Sequence, residues 1–100
     1  MKPKGRPLKP RKIGKTPTIV QFSPRGKPGR PDEVHLTIDQ FETIRLADYD
    51  GFKQNEGAQT MGISRASFGR ILRDARKTIS DALINGKIIR IYGGNIKILS

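Results

Sequence analysis

From Leu36 onward the apolar positions fall at helical spacing. Ile38, Phe41, Ile44, Leu46 and Ala47 form one stripe. Thr37 and Gln40 just ahead of it have capping-box form, in which the hydroxyl takes an orphan N–H and the amide reaches back. Gly51 suits the left-handed position that ends a helix. The pattern predicts a first helix over Thr37 to Asp50. A second, short helix is predicted from Gln54 to Met61, stopped by Gly62. Ser64 then caps a third helix with Phe68, Ile71, Leu72, Ala75, Ile79, Ala82 and Leu83 on one side and a stop at Asn85-Gly86. At 1.5 Å per residue that helix is roughly 33 Å long, so a bend or a protruding end is expected.

The two ends of the chain follow a different period. Ile88, Ile89, Ile91 and Tyr92 lie on one side of Gly93-Gly94-Asn95, and Ile96, Ile98 and Leu99 on the other. Two β-rich runs around a glycine pair predict a C-terminal β-hairpin over 87–100. Thr18 to Phe22 is β-branched and aromatic enough for one short strand inside an extended segment, 18–36. Residues 1–17 are basic and rich in proline, a composition that predicts a disordered arm. The fold class expected from these elements is mainly α: a helix-turn-helix domain over 37–86 with a long third helix, a C-terminal β-hairpin and a basic N-terminal arm.

Charge adds a partner to this picture. The chain has 100 residues and a formal net charge of +11. Residues 1–30 hold ten Lys or Arg and no acid, and all seven prolines fall within the first 31 positions. Residues 31–50 hold six acids against Arg45, and from Pro31 on the net charge is only +1. Cysteine is absent and His35 is the single histidine. That excludes disulfide scaffolds, zinc fingers and Cys-based catalysis, and leaves no His-pair metal site. No nucleophile–base constellation or carboxylate pair stands out, so neither an enzyme, a metal nor a cofactor is expected. No apolar run nears the ~18 residues that span a bilayer, so no membrane partner is expected.

The chemistry concentrates on Gln54 to Leu72. Ala58 stands where two helices cross closely, and Gly62 follows at the tight turn that needs positive φ. Ile63, Phe68 and Ile71 lie where they bury the later helix against the earlier one. This register is that of a helix-turn-helix, whose second helix enters the DNA major groove by its N-terminal half. Arg65 and Arg70 are then placed for base edges, where Arg most often takes guanine. Ala66 is placed for a thymine methyl, and Gly69 for close approach to the DNA. Ser64 and Ser67 are candidate phosphate donors, although Ser64 reads first as an ordinary N-cap. Arg73, Arg76 and Lys77 are phosphate contacts or a solvated face. In the arm, Lys4 and Arg6 flank Gly5 in the shape of a minor-groove hook, or are simply part of a basic tail. The acidic stretch Asp32 to Asp50 reads as the face turned from DNA or as a docking surface for a polymerase subunit. Asp39, Glu42 and Asp48 are candidate partners of third-helix arginines.

Residues 18 to 94 resemble an uncharacterised prokaryotic family of small predicted DNA-binding proteins, whose helix-turn-helix is similar to region 4 of sigma-70-type factors. The stretches that carry the resemblance are FSPRGKP, LTIDQFETIRLADYDG, QNEGAQTMGISRASFGRIL, ARKTISDALINGK and IRIYGG. It implies a sigma-region-4-like helical domain and DNA binding, with no established target or enzymatic activity. Three departures stand out. Lys53 occupies a Ser or Thr cap position, Gly57 replaces a helix-favouring Ala, and a cysteine after the basic N-terminal motif is missing. The first two predict a frayed second helix.

The expected function is sequence-directed binding of double-stranded DNA by a cytoplasmic, nucleoid-associated transcriptional regulator. A single domain of this size buries little surface, so a homodimer on paired half-sites is expected, joined through the third helix and the hairpin. Two other readings stand beside it. One is an RNA-binding or ribosome-associated protein, against which stands the lack of aromatic pairs for base stacking. The other is a polymerase-docking module, for which Arg65 and Arg70 would be dispensable.

Overall fold

The computed structural model of the chain describes residues 10–26 and 28–99. Strand β1 (Arg11–Ile13), β2 (Gln21–Phe22) and β3 (Glu33–Leu36) precede the helices. Helix α1 (Ile38–Ile44) continues as a π-helical turn over Arg45–Tyr49, followed by α2 (Gln54–Met61) and α3 (Arg65–Asn85). Strands β4 (Ile88–Ile91) and β5 (Ile96–Ile98) close the described chain.

Local chemistry accounts for the helix ends. Thr37 Oγ1 accepts from Gln40 N–H at 3.3 Å and Gln40 Oε1 accepts from Thr37 N–H at 2.9 Å, which is the reciprocal cap expected there. The first helix leaves α geometry at Arg45, and Asp50 N–H reaches Arg45 O at 2.8 Å across the wider turn. The Arg45 guanidinium spans that turn. It donates to both Glu42 oxygens at 2.8 and 2.7 Å and to Asp50 at 3.0 Å. Gly51, Gly62 and Gly86 take positive φ at the three helix exits.

The strands correct the mainly α expectation: five strands in two sheets make this an α/β fold. Nor do Ile88–Ile91 and Ile96–Ile98 form a hairpin with each other. β4 is the centre of a three-stranded sheet, antiparallel to β2 (Gln21↔Arg90) and parallel to β3 (His35↔Arg90). With both of its edges taken, β4 has none left for β5. β5 instead pairs in parallel with β1, in the register Arg11↔Ile96, Lys12↔Lys97, Ile13↔Ile98. The glycine pair serves a close pass over the start of α1 rather than a hairpin turn. Gly93 O accepts from Ile38 N–H at 2.9 Å. A Cβ on Gly94, at φ +108°, would come within 2.6 Å of Asp39 Oδ1.

The disordered arm expected over 1–17 is corrected for residues 10–17. Residues 1–9 lie outside the described residues, but 10–17 are placed, and Ile13 is fully buried. It joins Leu46, Ala58, Met61, Phe68 and Leu72 in one core cluster. Leu36, Ala75 and Ile91 form a second, against which Phe41, Ile79 and Ile89 pack. Helix α3 contributes to both, so it is the spine of the molecule. At 21 residues it is about 31 Å long, and its final turn buries Ala82 while leaving Leu83 and Ile84 exposed.

Ile13→Ala should destabilise the protein by roughly 2–5 kcal/mol, the usual effect of emptying a packed core position. Chemical denaturation measures it. An arm that makes no structural contribution would leave the midpoint unchanged.

Candidate nucleic-acid interface

Helices α2 and α3 meet through the short turn Gly62–Ser64. Gly62 adopts φ 69°, ψ 33°. Its N–H reaches Gln59 O at 3.1 Å while Ile63 N–H reaches Ala58 O at 3.0 Å. Together these two bonds form a Schellman closure, which satisfies carbonyls that the helix end leaves open. Ser64 Oγ accepts from Ser67 N–H at 3.0 Å, so Ser64 and Ser67 form the N-terminal cap of α3.

The expected fraying of α2 does not occur, since the helix runs its full predicted length. Glu56 accepts from Lys53 N–H at 2.8 Å and so satisfies the backbone where a Ser or Thr cap is missing. Gly57 is a packing requirement. A Cβ there would sit 2.5 Å from Phe68 Cζ and 2.6 Å from Cε2. Gly57 and Ala58 thus let the Phe68 ring lie flush against α2, with both Ala58 and Phe68 buried. Ile63 packs half-buried against the same cluster, and Ile71 is buried.

Burying Phe68, Ile71, Leu72 and Ala75 turns the opposite side of α3 to solvent. An open cleft of about 820 Å³ runs along it, lined by Gln54, Arg65, Ala66, Gly69, Arg70, Leu72, Arg73 and Arg76. The structure therefore brings Arg65, Ala66, Gly69, Arg70, Arg73 and Arg76 together. Ser64 and Ser67 stay at the cap. Lys77 lies along a different groove with Ser80, Asp81, Ile84 and Asn85. Lys4 and Arg6 lie outside the described residues.

The arginines differ electrostatically. Arg76 grips Asp48 of the π turn with two bonds of 2.7 and 3.1 Å, and this hydrogen-bonded pairing raises its pKa further above the usual guanidinium value. It orders one wall of the cleft and ties α3 to the first helix. Arg65, Arg70 and Arg73 form no ion pair among the described residues. Of the acids expected to hold third-helix arginines, only Asp48 does so. Glu42 holds Arg45, and Asp39 faces Arg11 at 3.9 Å.

Sequence reasoning missed Gln54. It lies in the cleft beside Gly69, where an added Cβ would meet Gln54 Oε1 at 2.9 Å. Its amide is of the type that pairs bidentately with adenine. The available signal was its place in the first turn of α2, one helix crossing away from Gly69. Lys12 was missed as well: its stem lies over the turn, with Cε 3.4 Å from where a Gly62 Cβ would stand.

Gly57→Ala should destabilise by about 1–3 kcal/mol through overpacking against the ring, despite the better helix propensity of Ala. Gly69→Ala should be neutral or stabilising by up to ~1 kcal/mol, because only the flexible end of Gln54 has to move. Thermal melts of the two variants check this opposite ordering.

The family model described as "Protein of unknown function DUF134" matches residues 1–99. A UPF0251 protein of Desulfosudis oleivorans is 50% identical over 91 residues, which cover 90% of this chain and 66% of that relative. The chain thus spans just under two thirds of that relative's length. The UPF0251 protein Teth39_0655 of Thermoanaerobacter pseudethanolicus is 45% identical over 94 residues, covering 93% of this chain and 80% of the relative. The UPF0251 protein MmarC7_1642 of Methanococcus maripaludis is 49% identical over 96 residues, covering 95% and 74%. No solved structure matches the chain.

Proposed function

The chain belongs to the DUF134 family, and we propose that it binds double-stranded DNA in a sequence-directed way, as a transcriptional regulator. In this reading α2 and α3 act as a helix-turn-helix like that of sigma-70 region 4. The N-terminal half of α3 lies in the major groove. The observation that carries the reading is the exposed cleft in which Arg65, Arg70 and Arg73 stand beside Gln54 without ion-pair partners among the described residues. Arg65 and Arg70 read guanine and Gln54 reads adenine, while Arg73 takes phosphate. Arg76, held by Asp48, orients the helix. No helix among the described residues is long and apolar enough to cross a membrane.

Selection of bound duplexes from a random pool tests the reading. The wild type should enrich one motif. Arg70→Ala should relax it at a single position, with a discrimination loss of roughly 1–3 kcal/mol there. Enrichment of no duplex motif, with preference for structured RNA, would point to the RNA-binding alternative. Full activity without Arg65 and Arg70 would point to a polymerase-docking module.

The same reading makes the protein a homodimer on paired half-sites. The exposed Leu83 and Ile84 at the end of α3 form the contact. The hairpin once expected to share this role does not exist as a unit, so α3 carries it alone. Sedimentation on a two-half-site duplex should show one dimer per site. Ile84→Lys should reduce this to independent monomers with loss of cooperative binding.

A further inference from the structure

Strands β1 and β5 pair in parallel, so the side chains of register partners leave the sheet on the same face, on backbones about 5 Å apart. Arg11 and Ile13 of β1 turn inward, the first facing Asp39 and the second filling the core. Lys12 between them takes the opposite face, and its register partner is Lys97. Both lysines are exposed, and neither forms an ion pair among the described residues. Like charges directly opposite on neighbouring strands are destabilising. No acid among the described residues pairs with either lysine, so what would relieve the repulsion is an anion supplied from outside.

The position of the pair says which anion. The Lys12 stem runs over Gly62, in the turn that leads into the cap of α3. The strand that carries it is not loose. Ile13 is fully buried, Gly14 N–H donates to Glu42 at 2.9 Å, and Leu99 N–H reaches Ile13 O at 3.0 Å. The backbone that carries Lys12 is therefore held beside the turn into α3, and Lys97 stands next to it on the same face of the strand pair. We infer that Lys12 and Lys97 form a phosphate clamp that grips the backbone of duplex DNA next to the base pairs read by α3.

The inference rests on the DNA-binding reading and adds to it a contact contributed by two strands outside the helix pair. Lysine suits the task because it acts as a point charge on phosphate and carries no base information. The clamp would set the register of α3 in the groove and raise affinity equally for all sequences.

The test uses the full chain and a duplex bearing the motif that the wild type enriches, with fluorescence anisotropy across a salt series. Lys12→Gln with Lys97→Gln should make the negative slope of log affinity against log salt shallower by about 1.8, two phosphates at ~0.9 each. The selected motif should stay the same, and Lys12→Arg should retain the wild-type slope. The free double variant should melt at the same or a higher temperature, since the like-charge pair is gone. A double variant with the wild-type salt slope overturns the clamp while leaving DNA binding by α3 intact. A lowered melting temperature with unchanged slope assigns the lysines to the fold and also overturns it. A wild type that binds no duplex overturns both readings together.

Discussion

The Glu42 carboxylate is fully buried, and the placement of the N-terminal segment depends on it. A buried charge is tolerated only when it is paired and its lone pairs are filled. Glu42 meets this with two bonds from Arg45 and one from Gly14 N–H. The hydrogen bond to Glu42 is also the main reason that the Arg45 pKa is raised, and Asp50 adds to it. One carboxylate thereby joins the first helix, its π turn and the chain just after β1. Space at Gly14 is tight, since a Cβ would come within 3.1 Å of the Arg45 guanidinium, which would have to give by a few tenths of an ångström. With Gly14 held, Ile13 falls into the core, β5 finds an edge to pair with, and Lys12 comes to rest over Gly62.

Helix α3 carries the candidate site on this scaffold. Its inner face spans both core clusters, which fixes its rotation about its own axis. That rotation decides which arginines face water. The contact between Gly57 and the Phe68 ring sets the distance of α2 from α3, and so the width of the cleft that Gln54 enters. The Asp48–Arg76 pair then links the outer face back to the first helix. Rigid placement of this kind reduces the ordering entropy that binding would otherwise have to overcome.

Much of the candidate site was legible because it lies on one helix. Phe68, Ile71, Leu72 and Ala75 face the core at a period of 3.6, and this alone puts Arg70 and Arg73 on the other side, while Arg65, three residues before Phe68, flanks the core and is exposed at the first turn. Arg76 shares that face, yet its engagement with Asp48 joins residues 28 apart and has no periodic signature. Gln54 reaches the cleft from α2 and Lys12 reaches the turn at Gly62 from β1, so spacing along the chain carried no sign of either.

The division between what the chain's own order determined and what needed the tertiary structure follows the range of the interactions. Helix ends are local. The Thr37–Gln40 cap, the Ser64 cap and the left-handed Gly62 and Gly86 act within a turn, and each boundary follows from a few neighbouring residues. Strand pairing is not local. The run from Ile88 to Ile98 has the apolar rhythm and glycine pair of a hairpin, but β4 gives both its edges to β2 and β3, and β5 pairs with a strand more than 80 positions earlier. Composition marked the first 17 residues as a tail, because proline and repelling charge argue against order on average. Ile13 and Gly14 outweigh that average from 10 onward, through a core position and a buried carboxylate that exist only once the rest of the chain has folded around them.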